Sequence, residues 1–345
     1  MILVVFSHVE ISGFGMAPGY AGINDFFRTF RMPLFFFVSG FIAFRMQEWD
    51  WGLWRNSVLK KMRVQLIPML FFGLLYAVFF YAQRKGVTPM ASIEGFFNDS
   101  AKYGYWFTEV LLGMFLIYYT ASFVLKRFGL AVRQVLLSVI AIGLYALAYS
   151  SVTQFSHHRV ANWLCFYYLC LYFQFFVFGN IIACYQRRVF EVLHNKYVSG
   201  AVLLLFAGLY IFYLGRSDVQ HDYVVTDLSK LALEAIRYLG VLTTVMLFQR
   251  YEASFSKKNW VGRGLQFIGG RTLDVYLLHY FFIPAIPAIG VYLSTTGSMV
   301  LESVVVLLFS LLVIGFCLAV SSIIRISPWL AYWLLGVKQS MAGKE

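Results

Sequence analysis

Apolar runs recur along almost the whole chain, at lengths near the roughly 20 residues that a 30 Å hydrocarbon core asks of a helix. They lie near residues 32–46, 66–83, 105–125, 132–150, 164–184, 198–214, 231–249, 273–293 and 300–324, with polar or Gly/Pro-containing stretches between them. One more is partly present in the opening MILVVFSHV. Within lipid each backbone N–H and C=O has to be satisfied inside its own segment, so these runs predict helices. The expected fold is all-α: a polytopic membrane protein of about ten transmembrane helices. The run 32–46 is too short for an untilted span, so its helix is expected to start earlier, to pack inside the bundle, or both. The first helix is expected to be truncated, because Met1 opens directly into ILVVFSH. With no basic flank and no cleavage site, that opening is not a signal peptide. No hydrophilic stretch is long enough for a separate soluble domain, so a single integral-membrane domain over 1–345 is expected. No sequence repeat suggests inverted transporter halves.

Composition adds a topology to this outline. Hydrophobic residues make up 60% of the chain and charged residues 13%, against about 25% charged in a soluble domain; the mean hydropathy is +0.72. The net charge of +12 is unevenly placed. Stretches 45–63, 126–133, 185–197, 250–272 and 325–345 hold nineteen Lys and Arg, and the alternate stretches hold eight. The positive-inside rule then puts the first set, and both termini, on the cytoplasmic side of the cell membrane. Anionic headgroups of membrane lipids are a secondary partner for the same charge. No nucleic-acid-binding pattern accompanies it. Cys165, Cys170, Cys184 and Cys317 all fall in predicted helices without C-x-x-C spacing, so they are expected to act as small hydrophobes. His157 and His158, beside Arg159 in an outer loop, form a solvated cluster rather than a metal site, and no metal is expected.

Polar residues at membrane depth are costly and tend to mark working sites. His8 closes an apolar run; Glu10, about 200° further round a continuing helix, is a poor partner for it. The plain alternative is a neutral imidazole bonded to a backbone carbonyl. Arg31 directly precedes MPLFFFVSGF and sits on the outer side, against the orientation bias, so topology does not explain it. Trp106 and Glu109, in YWFTE, open the fourth span at its outer end, where an interfacial aromatic belt is the competing explanation. In IGGRTLDVYLLHYFFI, helix capping accounts for Thr272 or Asp274 but not for His279. Ser39, in VSG, is expected to be a small packing residue rather than a nucleophile.

Taken in order, VVFSH, FRMPLFFFVSGF, YWFTEVLLGMF, IGGRTLDVYLLH and IRISPWLAYWLLG resemble the integral-membrane acyltransferase 3 family over essentially the whole chain. The resemblance implies transfer of an acyl group, usually acetyl from acetyl-CoA, to a hydroxyl of a surface glycan or lipid-linked sugar. It implies no permanently bound cofactor. The family places an arginine, ten residues and then a histidine in the first span. The histidine matches His8, and the arginine would fall four residues before Met1, in an upstream extension that is expected to complete the helix. His8 is thus the expected general base, since an imidazole titrates near neutrality and can take the hydroxyl proton during attack. Arg31 matches the family's second block and is expected to bind substrate, together with Trp106, Glu109 and His279. Lys257, Lys258, Arg263 and Arg271, among Gly262, Gly264, Gly269 and Gly270, are candidates for the diphosphate of CoA, with ordinary positive-inside charge as the alternative. Two rival functions stand beside acyl transfer: a transporter or flippase in which His8, Arg31, Glu109 and His279 line a substrate or proton path, and a non-catalytic subunit of a glycan-export complex.

Overall fold

The computed structural model describes residues 1–16, 23–45, 49–150, 158–215, 227–256 and 259–337. Among these, every regular element is a helix. Eight helices are long and apolar enough to cross a membrane, a bent pair raises the number to nine, and the short apolar helix Ile2–Gly13 precedes them. The all-α, multi-span expectation is met. The chain packs as two compact units, one of Met1–Met16, Arg45–Gln174 and Arg271–Glu345, the other of Ala17–Phe44 and Phe175–Gly270.

In the first unit, Met299–Ile324 packs against both Ile2–His8 and Thr272–Phe282. It buries Val306, Ser310, Val313, Cys317 and Ser321, spaced three and four apart and so on one face. Its other face exposes Leu308, Leu312 and Phe316, which lipid solvates without cost. The expected single span over 273–293 is corrected: Thr272–Phe282 ends, and Pro287–Thr296 leaves at 96° to it. Pro284 and Pro287 lack the N–H needed to continue the ladder, and each pushes the residue before it out of helical geometry. Ile283 accordingly turns extended, and Ile286 N donates to Gly13 O at 2.8 Å, tying the break to the end of the first helix. That first helix changes register too. Ile2–His8 is α-helical, and Val9–Gly13 continues as a π-helix, a widened turn of the kind often found at functional sites.

In the second unit, Ile23–Ala43 packs on Asp227–Arg250, which packs on Lys196–Leu214. The second span therefore starts well before residue 32, and Arg31 lies inside its helix rather than at the start. Pro33 is also internal, so the Thr29 carbonyl loses its usual donor. Phe30, Phe206 and Ile236 form one buried cluster; Phe37, Ile182 and Val241 form another. Two glycines set a close helix contact. A Cβ on Gly40 would lie 1.9 Å from the Phe176 carbonyl oxygen, and one on Gly179 would lie 2.0 Å from that of Phe37. The hydroxyl of Ser39, next to Gly40, donates to Phe35 O at 2.9 Å within its own helix.

Candidate active site

The Thr272–Phe282 helix is buried almost throughout, from Asp274 to Tyr280. A carboxylate at such a depth needs donors. Asp274 Oδ2 accepts from Ser321 Oγ at 2.6 Å and from Arg325 Nη2 and Nε at 2.6 and 3.2 Å. Asp274 is therefore an ion-pair partner of the neighbouring helix and not a cap; Arg271 holds the N-cap position without a side-chain capping bond.

One turn further on, His279 is fully buried, with Nδ1 2.7 Å from Tyr276 O and 3.1 Å from Val275 O. A carbonyl only accepts, so Nδ1 carries the proton and Nε2 keeps the basic lone pair. Nε2 has no hydrogen-bond partner among the described residues. The next residue, Tyr280, reaches the first helix: its hydroxyl oxygen is 3.0 Å from His8 Nε2. The His8 ring centroid is 4.9 Å from that of Tyr280 and 5.2 Å from that of His279. His8 and His279, from opposite ends of the chain, thus meet with a tyrosine beside both. Of the three, only His8 is partly exposed, so an incoming substrate meets His8.

The stretch before the Trp106–Val124 helix supports this group. Tyr276 donates its hydroxyl to Gly104 O at 2.9 Å and accepts from Phe107 N at 3.2 Å. Tyr105, fully buried, donates to Leu277 O at 3.0 Å. Gly104 has φ +104, and a Cβ there would lie 1.8 Å from the Tyr280 hydroxyl oxygen. Only glycine permits that approach.

A family model described as an acyltransferase domain matches residues 1–325, which include His8, His279 and Tyr280. The chain belongs to the acyltransferase 3 family. No curated protein and no solved structure matches it.

Other residues expected to serve an acyltransferase 3 site are spread more widely. Trp106 stacks on Tyr168 and Tyr172, with ring centroids 4.4 and 5.8 Å apart. Glu109 Oε2 accepts from Cys165 Sγ at 3.5 Å. Cys165 itself is not helical as expected: it precedes Phe166–Cys184 in a left-handed turn, φ +46. Burial and the neighbouring Glu109 push its thiol up, so it is a poor thiolate nucleophile at neutral pH. Arg31 is partly buried in the second unit, and Arg263 is exposed there on Trp260–Gly270. Arg271, in the first unit, donates to Ser322 Oγ at 2.8 Å. Lys257 and Lys258 lie outside the described residues.

Two features escape a reading of the chain. Tyr280 is one of 23 tyrosines, and nothing in its local spacing singles it out. Lys60 and Arg63 look like topology charges, yet with Tyr332 and Trp333 they line an open hollow of about 570 Å³. Arg63 Nη1 donates to Tyr332 O at 2.7 Å, and the guanidinium sits 3.8 Å over the Tyr332 ring.

Proposed function

We propose that the protein is a membrane O-acyltransferase that moves acetyl from acetyl-CoA to a hydroxyl of a surface glycan or lipid-linked sugar, with His8 as general base. The observation that carries this reading is the His8–Tyr280 pair beside His279, in a chain of the acyltransferase 3 family. The acceptor oxygen attacks the thioester carbonyl, a C–O bond forms as the C–S bond breaks, and the hydroxyl proton passes to His8 and on to the departing thiolate. Tyr280 lies on Nε2 of His8 and so orients the ring that takes the proton. The partner thus sets the ring orientation of the base, one of the roles a carboxylate plays for catalytic histidines elsewhere. Direct transfer is favoured over a cysteine acyl-enzyme by the raised Cys165 thiol.

Trp106, Glu109 and Arg31 are proposed as substrate-binding residues, with Trp106 offering an aromatic face and Arg31 a fixed cation for an anionic group. For the donor, the hollow lined by Lys60, Arg63, Tyr332 and Trp333 supports a second reading beside the loop lysines: cations for the diphosphate and rings for the base. In the proposed cell-membrane orientation both termini, and with them this hollow, face the cytoplasm. The test is to supply membranes containing the protein with acetyl-labelled acetyl-CoA and candidate lipid-linked and polymeric glycans. Label on the acceptor with matching release of free CoA thiol is expected. Uptake of the glycan or of acetyl-CoA with no label transferred would favour the transporter reading instead.

A further inference from the structure

Among the described residues, the non-glycine positions with a left-handed backbone are Lys102 (φ +49), Tyr103 (φ +51) and Cys165 (φ +46). Such conformations are costly for residues with a Cβ and persist only where the surroundings over-determine them. Here all three share one network. Lys102 is 1% exposed, and its ammonium donates to Phe97 O at 2.8 Å, Asn162 O at 2.9 Å and Asp99 O at 3.3 Å. An ammonium has three protons, so these bonds use it completely. Asn162 O also accepts from Cys165 N at 3.2 Å. The Asp99 carboxylate closes the turn from the other side, accepting from Ala101 N at 2.9 Å and Tyr103 N at 3.2 Å.

The residue that follows the strained pair is Gly104, and the Tyr280 hydroxyl that meets His8 rests against it, in the space a Cβ would fill. Lys102 fixes the turn, the turn fixes Gly104, and Gly104 fixes Tyr280. Burying a lysine only to brace a surface turn would be an expensive way to stabilise it. We propose that Lys102 is a positioning residue for acyl transfer: the turn it locks holds Tyr280 on His8, and with it the ring orientation of the base. This rests on the acyl-transfer reading of the His8 site. Lys102 acts through Tyr280, not on the substrate.

A double-mutant cycle separates this role from a merely structural one. Lys102→Met, Tyr280→Phe and the pair are compared for acetyl transfer per mole of folded, membrane-inserted protein, each with a pH profile of kcat/KM. Each single change is expected to lower kcat about tenfold to a hundredfold, the range for losing a hydrogen bond to a group that becomes charged, and to displace the same limb of the pH profile. The pair is expected within about twofold of Tyr280→Phe alone, because both act on one contact. Lys102→Met at the parent rate, or a double loss equal to the product of the single losses, would overturn the proposal. Should Lys102→Met not accumulate, Gly104→Ala decides. It keeps the lysine and places a methyl on the Tyr280 hydroxyl, and it too is expected to be slow and to add nothing to Tyr280→Phe; parent activity in Gly104→Ala overturns the proposal equally. A parent protein that transfers no acetyl to any acceptor overturns the acyl-transfer reading itself, and this inference with it.

Discussion

An imidazole's hydrogen bonds decide what it can do before any substrate arrives. His279 commits Nδ1 to carbonyls of its own helix, and His8 commits Nε2 to Tyr280, so the two rings are held in different ways. His279 has no exposed surface, which leaves His8 to meet the substrate and His279 to shape the dry wall beside it. The same residue-level accounting applies to Asp274, which is 2% exposed and holds Ser321 and Arg325 on a single oxygen. Removing one member of such a pair strands the other, at a cost of about 3 to 5 kcal/mol. Asp274→Ala and Arg325→Ala are each expected to lower the thermal unfolding midpoint of the detergent-solubilised protein clearly. The double change should cost less than the sum of the two, because no charge is then left stranded. Strictly additive losses would show that the pair is not a unit.

At the level of helices, Ile23–Ala43 and Phe166–Cys184 approach closely where Gly40 and Gly179 each stand in for a side chain that would strike a backbone carbonyl. Backbone cannot move aside as a flexible side chain can, so Gly179→Ala should destabilise by about 1 to 3 kcal/mol or more. Gly200→Ala offers the contrast: nothing lies within 4 Å of its Cβ position, and alanine in an open helix interior gains about 1 kcal/mol in propensity. Opposite signs for the two in thermal unfolding are expected, and equal losses would contradict the packing account. Hydropathy revealed the helices well, because long apolar runs admit no other backbone structure in lipid. It missed what happens inside a run. The break after Phe282 was written in Pro284 and Pro287 but masked by the apolar residues around them, and the start at Ile23 was hidden by the polar residues Asn24, Asp25, Arg28 and Arg31. His8 and His279 stood out singly as polar groups at depth. Their meeting, the tyrosine beside them and the glycine it rests on depend on contacts between distant segments, which local spacing does not encode.

For the molecule as a whole, the acyltransferase 3 assignment covers residues 1–325, and the charge distribution proposes an arrangement to go with it. Nineteen of the Lys and Arg residues fall in one alternate set of loops, which the proposed orientation puts on the side where a cytosolic thioester donor would arrive, while the turn carrying Lys102 and Gly104 belongs to the other set. On this account acyl transfer depends on one partly exposed imidazole within the membrane-embedded helices, and donor capture depends on basic groups elsewhere. The most direct test is His8→Ala, assayed in membranes for acetyl transfer to acceptor and, separately, for acetyl-CoA binding. Transfer should fall by about 10² to 10⁴, the usual cost of losing a general base, while the amount of inserted protein and the affinity for acetyl-CoA stay at the parent values. His8→Ala membranes that acetylate acceptor at the parent rate would contradict the account.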